Sequence, residues 1–314
     1  MRRRIKVSFK TSIRPFVPPS RNGVGCSCIA LTKGPWLRVL DFLADRFPAV
    51  PRAEWLRRMM DGEVLDADGA PVPPDRPYRP HAKLYYYRSL PPETRIPFDE
   101  TVLFQDDYLV VADKPHFLPV TPSGRYLQET LLIRLKRKLG IDTLTPMHRI
   151  DRETAGLVLF TVQPHTRDAY QSLFRDKAVR KTYEAIAPSR RDLGLPVRYA
   201  SRLIESPSFM QMCETDGLPN AETRIELLEV KGALARYRLL PVTGQKHQLR
   251  AHMNALGIAI LNDQIYPHLL PAASGDGGDP DYGKPLQLLA KSVTFTDPIS
   301  GQLRQFESAR QLDF

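Results

Sequence analysis

Residues 156–162 read Gly-Leu-Val-Leu-Phe-Thr-Val, with no charge among them. A run that short and that apolar is a strand covered on both faces, and it demands packed structure above and below it. Directly before it, residues 147–155 read Met-His-Arg-Ile-Asp-Arg-Glu-Thr-Ala, with Asp151 between Arg149 and Arg152 and His148 just ahead. A carboxylate set in a basic loop suits a negatively charged substrate held over a reactive acid. Alone, an Asp in an Asp-x-x-Thr turn is more often a cap or an Asx-turn, so the rest of the chain decides.

From residue 101 onward, strands alternate with helices. Two short strands flank the Asp106-Asp107 turn. A basic helix is expected over 129–139, a helix over 165–176, strands over 181–187, 223–230 and 235–240, a helix over 247–256 and a strand over 287–296. Residues 262–284 form a long polar loop with Gly275, Gly277 and Gly278. The pattern is α+β with a mixed sheet.

The earlier part of the chain reads differently. Apolar spacing gives a helix over 36–47 and a second over 51–61, with Pro51 in its first turn and Gly62 just past its end. Trp55, Leu56, Met59 and Met60 form its apolar side and leave Arg52, Arg57 and Arg58 for the other. Residues 63–72 read as a hairpin around Asp68-Gly69. Residues 73–100 are proline-rich and read as a linker holding one short strand over 83–87. The division expected is a basic flexible leader (1–35), a small subdomain with its linker (36–95) and a catalytic domain (96–314).

Charge sharpens that division. The net charge of +10 invites a nucleic-acid partner, but residues 1–40 hold nine Lys and Arg and no acid, leaving 36 basic against 35 acidic residues beyond. Any basic groove in the globular part must come from placement. The leader suits a phosphate-contacting arm, an organellar presequence or a passive extension; Pro15, Pro18 and Pro19 argue against the presequence. Cys26, Cys28 and Cys213 make neither a disulfide framework nor a zinc set, which points to a reducing cytoplasm. No apolar run is long enough to span a membrane.

Three segments could meet around one pocket: residues 148–151, residues 180–185, and residues 243–250 with His252 one turn on. The third enters a helix from Thr243-Gly244, so N–H donors cluster where anions bind. Together they offer an acid, a phenol and several cations. Glycine-rich phosphate loops and Gly-x-Ser-x-Gly elbows are absent from the sequence, which argues against nucleotide hydrolysis and an α/β-hydrolase triad.

These blocks resemble the RluA family of pseudouridine synthases. His-Arg-Ile-Asp-Arg-Glu-Thr-Ala-Gly (148–156) is similar to that family's His-Arg-Leu-Asp-x-x-Thr-Ser-Gly signature, and Lys-Thr-Tyr-Glu-Ala (181–185) to its tyrosine strand. Residues 241–263 resemble its Thr-Gly-Arg-x-His-Gln-Ile-Arg segment and the Gly-x-Pro-Ile-x-Gly-Asp stretch next to it. Residues 103–115 resemble its first strand pair, and residues 286–301 its closing strand. The match covers about residues 101–307 in the family's order. Ala155, Gln245, Lys246, Asn262 and Leu289 depart from the usual residues. The helix–helix–hairpin over 36–72 resembles the small RNA-binding domain first described in a ribosomal small-subunit protein.

The resemblance implies a largely antiparallel mixed sheet flanked by helices, and isomerisation of a uridine within RNA. It makes Asp151 the catalytic group at the ribose, paired with Arg250, and places Tyr183 against the uracil. Leu288 would form the floor under the base, and Arg149 would enter the RNA stack in place of the extruded nucleotide. His247 and Lys181 would contact the substrate, while His148 and His252 would be hydrogen-bonding framework or RNA contacts. It implies RNA as partner, no metal, nucleotide or organic cofactor, no membrane, and a monomer. Its targets are ribosomal large-subunit RNA and tRNA. The competing readings are a non-catalytic RNA-binding or ribosome-assembly protein that kept the fold, and a nucleoside hydrolase.

Overall fold

A computed structural model describes residue 16 and residues 18–21, 23–88, 93–207, 210–270 and 281–314. Residues 1–15 and most of the glycine-rich stretch within 262–284 lie outside the described residues. The chain divides into two compact units, ending and beginning at Pro91 and Pro92.

The first unit contains β1 (Ser27–Ala30), α1 (Val39–Arg46), α2 (Arg52–Met60), β2 (Val64–Leu65) and β3 (Lys83–Tyr86). Its sheet runs β1-β3-β2, antiparallel throughout. Residues 27–30, assigned to the leader by sequence, are thus a strand. The helix expected over 36–47 starts only after Arg38, whose extended backbone N–H is taken by the Asp41 carboxylate at 3.1 Å. Trp36 instead packs its ring on Phe42 and Tyr78. The Asp68-Gly69 turn forms, with Val72 donating to the Val64 carbonyl at 2.9 Å, yet β2 finds its strand partner in β3. Of the α2 arginines, Arg52 and Arg57 keep exposed side chains while pairing with acids, and Arg58 is buried. Arg57 lies between Glu54 (2.8 Å) and Asp61 (2.7 Å), Arg52 meets Asp41 at 2.7 Å, and Arg58 is buried over the Trp55 ring while bonding Glu54.

The second unit holds β4 (Thr101–Gln105), β5 (Leu109–Lys114), α3 (Leu131–Leu139), β6 (Thr145–Pro146), β7 (Ala155–Thr161), α4 (Arg167–Arg175) and β8 (Arg180–Pro188). It continues with β9 (Val197–Glu205), β10 (Met212–Thr215), β11 (Ala221–Lys231), β12 (Leu234–Pro241), α5 (Gln248–Ala255), β13 (Leu288–Thr296) and β14 (Leu303–Glu307). One sheet runs β10-β9-β11-β12-β8-β13-β7-β5-β4, with β6 added on β7 and β14 on β13. All of its pairings are antiparallel except β13 with β7, so the sheet is mixed and largely antiparallel as expected.

The apolar run over 156–162 is covered on both faces. Val158 and Phe160 enter a core with Leu131 and Leu135 of α3, while Leu157 and Leu159 enter another with Tyr170 of α4. On the β8–β12–β11 side, Ala185, Tyr237, Leu239 and Ile225 pack under Leu249 and Met253 of α5. The opposite face there is solvated and salt-bridged, with Arg198 on Glu222 and Arg238 on Glu226. Within β9 itself, Arg198, Ser201 and Arg202 break up the apolar pattern in the sequence.

The parallel contact of β7 with β13 is short, Leu289 beside Ala155 and Ala290 beside Gly156. Gly156 has φ +106°, and a Cβ there would lie 2.3 Å from the Ala290 carbonyl oxygen. Glycine is required on both counts. Gly156→Ala is expected to cost at least about 2 kcal/mol, through strain and a forced separation of the strands; the urea midpoint of the purified variant measures it.

Three histidines serve this framework, His252 buried and His148 and His116 half-buried. His252 of α5 lies between the Thr223 hydroxyl (3.0 Å) and the Ser201 hydroxyl (3.2 Å), and burial pushes its imidazole down to about 4. His148 accepts the Leu159 N–H at 3.2 Å and stacks on Phe174; burial, then the charge of Lys181, push it down to about 3. His116 donates to the Glu153 carbonyl at 2.6 Å, and burial pushes it down to about 4. All three are neutral when folded but titrate near about 6.5 when unfolded. Their stabilising contribution is therefore complete above that pH and is lost on descending toward 4, by about 1.4 kcal/mol per pH unit for each proton taken up. A melting temperature falling steeply from pH 6.5 to 4.5, with a shallower fall in His252→Gln, is the expected result.

Candidate active site

Asp151 sits in the loop between β6 and β7, closed by the Thr154 N–H donating to the Asp151 carbonyl at 3.2 Å. The loop backbone is held from β5. Lys114, wholly buried, donates through Nζ to the Arg152 carbonyl at 3.0 Å and to the Pro115 carbonyl at 2.9 Å. Burial lowers its ammonium to about 7, against the pull of the Glu153 and Asp151 carboxylates. The His116 bond to the Glu153 carbonyl adds a second tie to the loop from the same strand end.

Arg250 reaches this loop from α5. Its side chain is 1% exposed. Nη1 donates to Asp151 Oδ2 at 3.2 Å, while Nε and Nη2 donate side by side to Asp263 at 2.8 and 2.7 Å. Burial opposes the charge on Arg250, but Asp263 first and Asp151 next outweigh it and hold the guanidinium firmly protonated. Glu153 lies 3.9 Å from Nη1 and is mainly paired with Arg152 at 2.7 Å. Burial pushes Glu153 up, and the charges of Arg152 and Arg250 overcome that to hold it below its usual value.

The two oxygens of Asp151 therefore differ. Oδ2 faces Arg250, with His247 Nε2 at 3.9 Å on the same atom. No donor to Oδ1 is found among the described residues. The carboxylate is 27% exposed, so it can be reached.

Tyr183 stands on β8, with its side chain on the α5-facing side among Leu288, Leu249 and Met253. Burial, then the Asp151 charge, push its phenol well above the usual tyrosine range, so it is a neutral hydroxyl at physiological pH. Leu288, 3% exposed at the start of β13, shares that apolar cluster. Lys181, two residues before Tyr183, donates to the Thr243 carbonyl at 3.2 Å, and burial lowers its ammonium.

The Thr243-Gly244 turn is braced from within. Gln248 accepts from the Thr243 hydroxyl at 2.6 Å and from the Gln245 N–H at 3.0 Å, while its amide donates to the Glu222 carbonyl and the Thr223 hydroxyl. One of the N–H groups expected to receive an anion is thus already used. His247 adopts a left-handed backbone, φ +51°, just before α5. Its Nδ1 is buried with no hydrogen-bond partner among the described residues, and burial lowers its imidazole despite the nearby Asp151. Lys246 pairs with Glu205 at 3.5 Å, whereas Arg149 is exposed and has no ion-pair partner among the described residues.

The structure thus brings Asp151, Arg250, His247 and Tyr183 together, with Leu288 in the apolar cluster beside Tyr183. His148 and His252 are framework. Three neighbours of the acid were not singled out from the sequence: Asp263, Glu153 and Lys114. Asp263 closes one of the quoted blocks, and Lys114 ends the strand run Leu-Val-Val-Ala-Asp-Lys; a charge at the end of a fully buried strand was the available signal.

A family model described as RNA pseudouridylate synthase matches residues 108–255. An uncharacterised RNA pseudouridine synthase of Synechocystis sp. is 30% identical over 245 residues, covering 77% of this chain and 81% of that protein. The dual-specificity RNA pseudouridine synthase RluA of Haemophilus influenzae is 29% identical over 221 residues, 66% of this chain and 91% of that protein. The solved structure of human RNA pseudouridylate synthase domain containing 1 shares the fold at a TM-score of 0.54 and 18% identity, covering 68% of this chain and 84% of that one. With a relative this similar along most of its own length, the chain belongs to the RluA branch of the RNA pseudouridylate synthase family and is an isomerase of uridine in RNA.

Proposed function

We propose that this protein converts a flipped-out uridine of ribosomal large-subunit RNA or tRNA to pseudouridine with Asp151 as its catalytic group. The observation that carries the assignment is the inequality of the two Asp151 oxygens: Oδ2 is anchored by Arg250, and Oδ1 is left without a donor among the described residues. An ionised carboxylate so held acts at the ribose, either on carbon 1′ or on the proton at carbon 2′. The bond from carbon 1′ to N1 of uracil breaks, the base turns, and carbon 5 forms the new bond to carbon 1′. The hydrogen on carbon 5 then leaves as a proton, and N1 ends protonated.

Tyr183 stacks on the uracil over Leu288, and its neutral phenol makes it a poor base for the carbon 5 proton without a further acceptor. Arg149, exposed and unpaired among the described residues, fills the gap left by the extruded base. His247 and Lys181 line the substrate side. The three cysteines are free thiols, which suits a reducing compartment, and we place the protein in the cytoplasm.

RNA labelled with tritium at carbon 5 of uridine tests the reading. The wild type is expected to release tritium, and Asp151→Ala to bind the same RNA and release none. Equal release by both proteins would remove Asp151 from the chemistry.

The leader supplies affinity in this reading. The arginines of α2 pair with acids, whereas residues 1–15 hold Arg2, Arg3, Arg4, Lys6, Lys10 and Arg14 and no acid. Because β1 begins at Ser27, the test removes residues 1–15 only. RNA binding should weaken, and the slope of log K against log salt should flatten by up to roughly 4–5, the counterions of six contacts. An unchanged slope would make the leader a passive extension.

A further inference from the structure

Arg250 faces three carboxylates, and they hold it unequally. Asp263, fully buried, takes both N–H groups on the Nε–Nη2 edge, at 2.8 and 2.7 Å. Asp263 is itself fixed, because its Oδ1 also accepts the N–H groups of Ile265 (2.8 Å) and Tyr266 (3.1 Å). Tyr266 is anchored on β10, where its hydroxyl accepts from the Met212 N–H at 2.7 Å and donates to the Met212 carbonyl at 3.2 Å. Asp151 receives a single bond from Nη1 at 3.2 Å, and Glu153 stands off at 3.9 Å beside Arg152.

A guanidinium forks readily onto a carboxylate, covering both oxygens. The fork on Asp263 fixes the plane and direction of the guanidinium, and in that orientation only Nη1 reaches Asp151, at Oδ2 alone. Free of Asp263, the Nη1–Nη2 edge could turn onto Asp151 and take Oδ1 as well as Oδ2. We propose that Asp263 is a positioning residue of the reaction: by holding the Nε–Nη2 edge of Arg250, it limits Arg250 to one bond with Asp151 and keeps Oδ1 open to the ribose. The inference rests on Asp151 being the group that acts at the sugar.

The test is single-turnover tritium release together with RNA affinity, on the full chain, for the wild type, Asp263→Asn, Asp263→Ala and Asp151→Ala. Asp263→Asn keeps the shape and an oxygen for the Ile265 and Tyr266 amides. Its rate constant is expected to fall by about 100-fold with the RNA Kd within about twofold of wild type, as misplacement of a reacting group predicts. Asp263→Ala should be as slow and should regain rate on addition of formate, a carboxylate small enough for the vacated volume. A role confined to stability would lower the melting temperature yet leave the rate per folded molecule unchanged. A wild-type rate in a folded variant, formate that restores melting but not rate, or failure of both variants to fold even in formate would each overturn the proposal. A wild type that releases no tritium, or an active Asp151→Ala, would instead overturn the reading beneath it.

Discussion

The ion pair of Arg250 with Asp263 organises this molecule's centre. Both side chains are almost wholly out of water, and burying two charges costs several kcal/mol per ion unless geometry and further hydrogen bonds offset it. Here the offset is a two-bond fork plus two backbone N–H groups on the same carboxylate. The pair ties α5 to the loop on its C-terminal side, and Nη1 of Arg250 reaches the loop before β7. One guanidinium thereby sets α5 and the loop after it against a loop 99 residues earlier in the chain.

The loop carrying the acid is governed in a different way. Lys114 and His116 bond to carbonyl oxygens of residues 152 and 153, so they fix the backbone and leave the side chains there free to differ. The fold cores above and below β7 hold the other end of the same loop. Asp151 consequently has little freedom of its own, and the neutral Tyr183 beside it adds no competing charge. The site is built from one flexible-looking sequence segment that every neighbour restrains.

Legibility in the sequence followed the physics of each signal. The strand over 156–162 was plain because burial on both faces leaves a continuous apolar run, and α3 was plain because Thr130 and Gly140 mark its ends. Helix α1 was read too long because Trp36 supplies an apolar residue at helical spacing while belonging to a ring cluster outside the helix. β9 was missed because Arg198, Ser201 and Arg202 break up its apolar pattern. The motif residues of the site could be named, since the blocks carrying Asp151, Tyr183 and Arg250 are distinctive. Asp263 could not be given a role, because its importance lies in which edge of Arg250 it occupies, and an edge is a property of three-dimensional placement.

One edge of β13 is divided between two partners. β7 takes only Leu289 and Ala290, and β14 takes Ser292 through Thr296. Two residues therefore join the β4–β5–β7 part of the sheet, which leads into Asp151, to the β8–β12 part, which carries Tyr183. The separation of acid and ring is a matter of how the sheet curves at this seam. Any change in the curvature of the sheet at this two-residue seam would therefore change the distance between Asp151 and Tyr183.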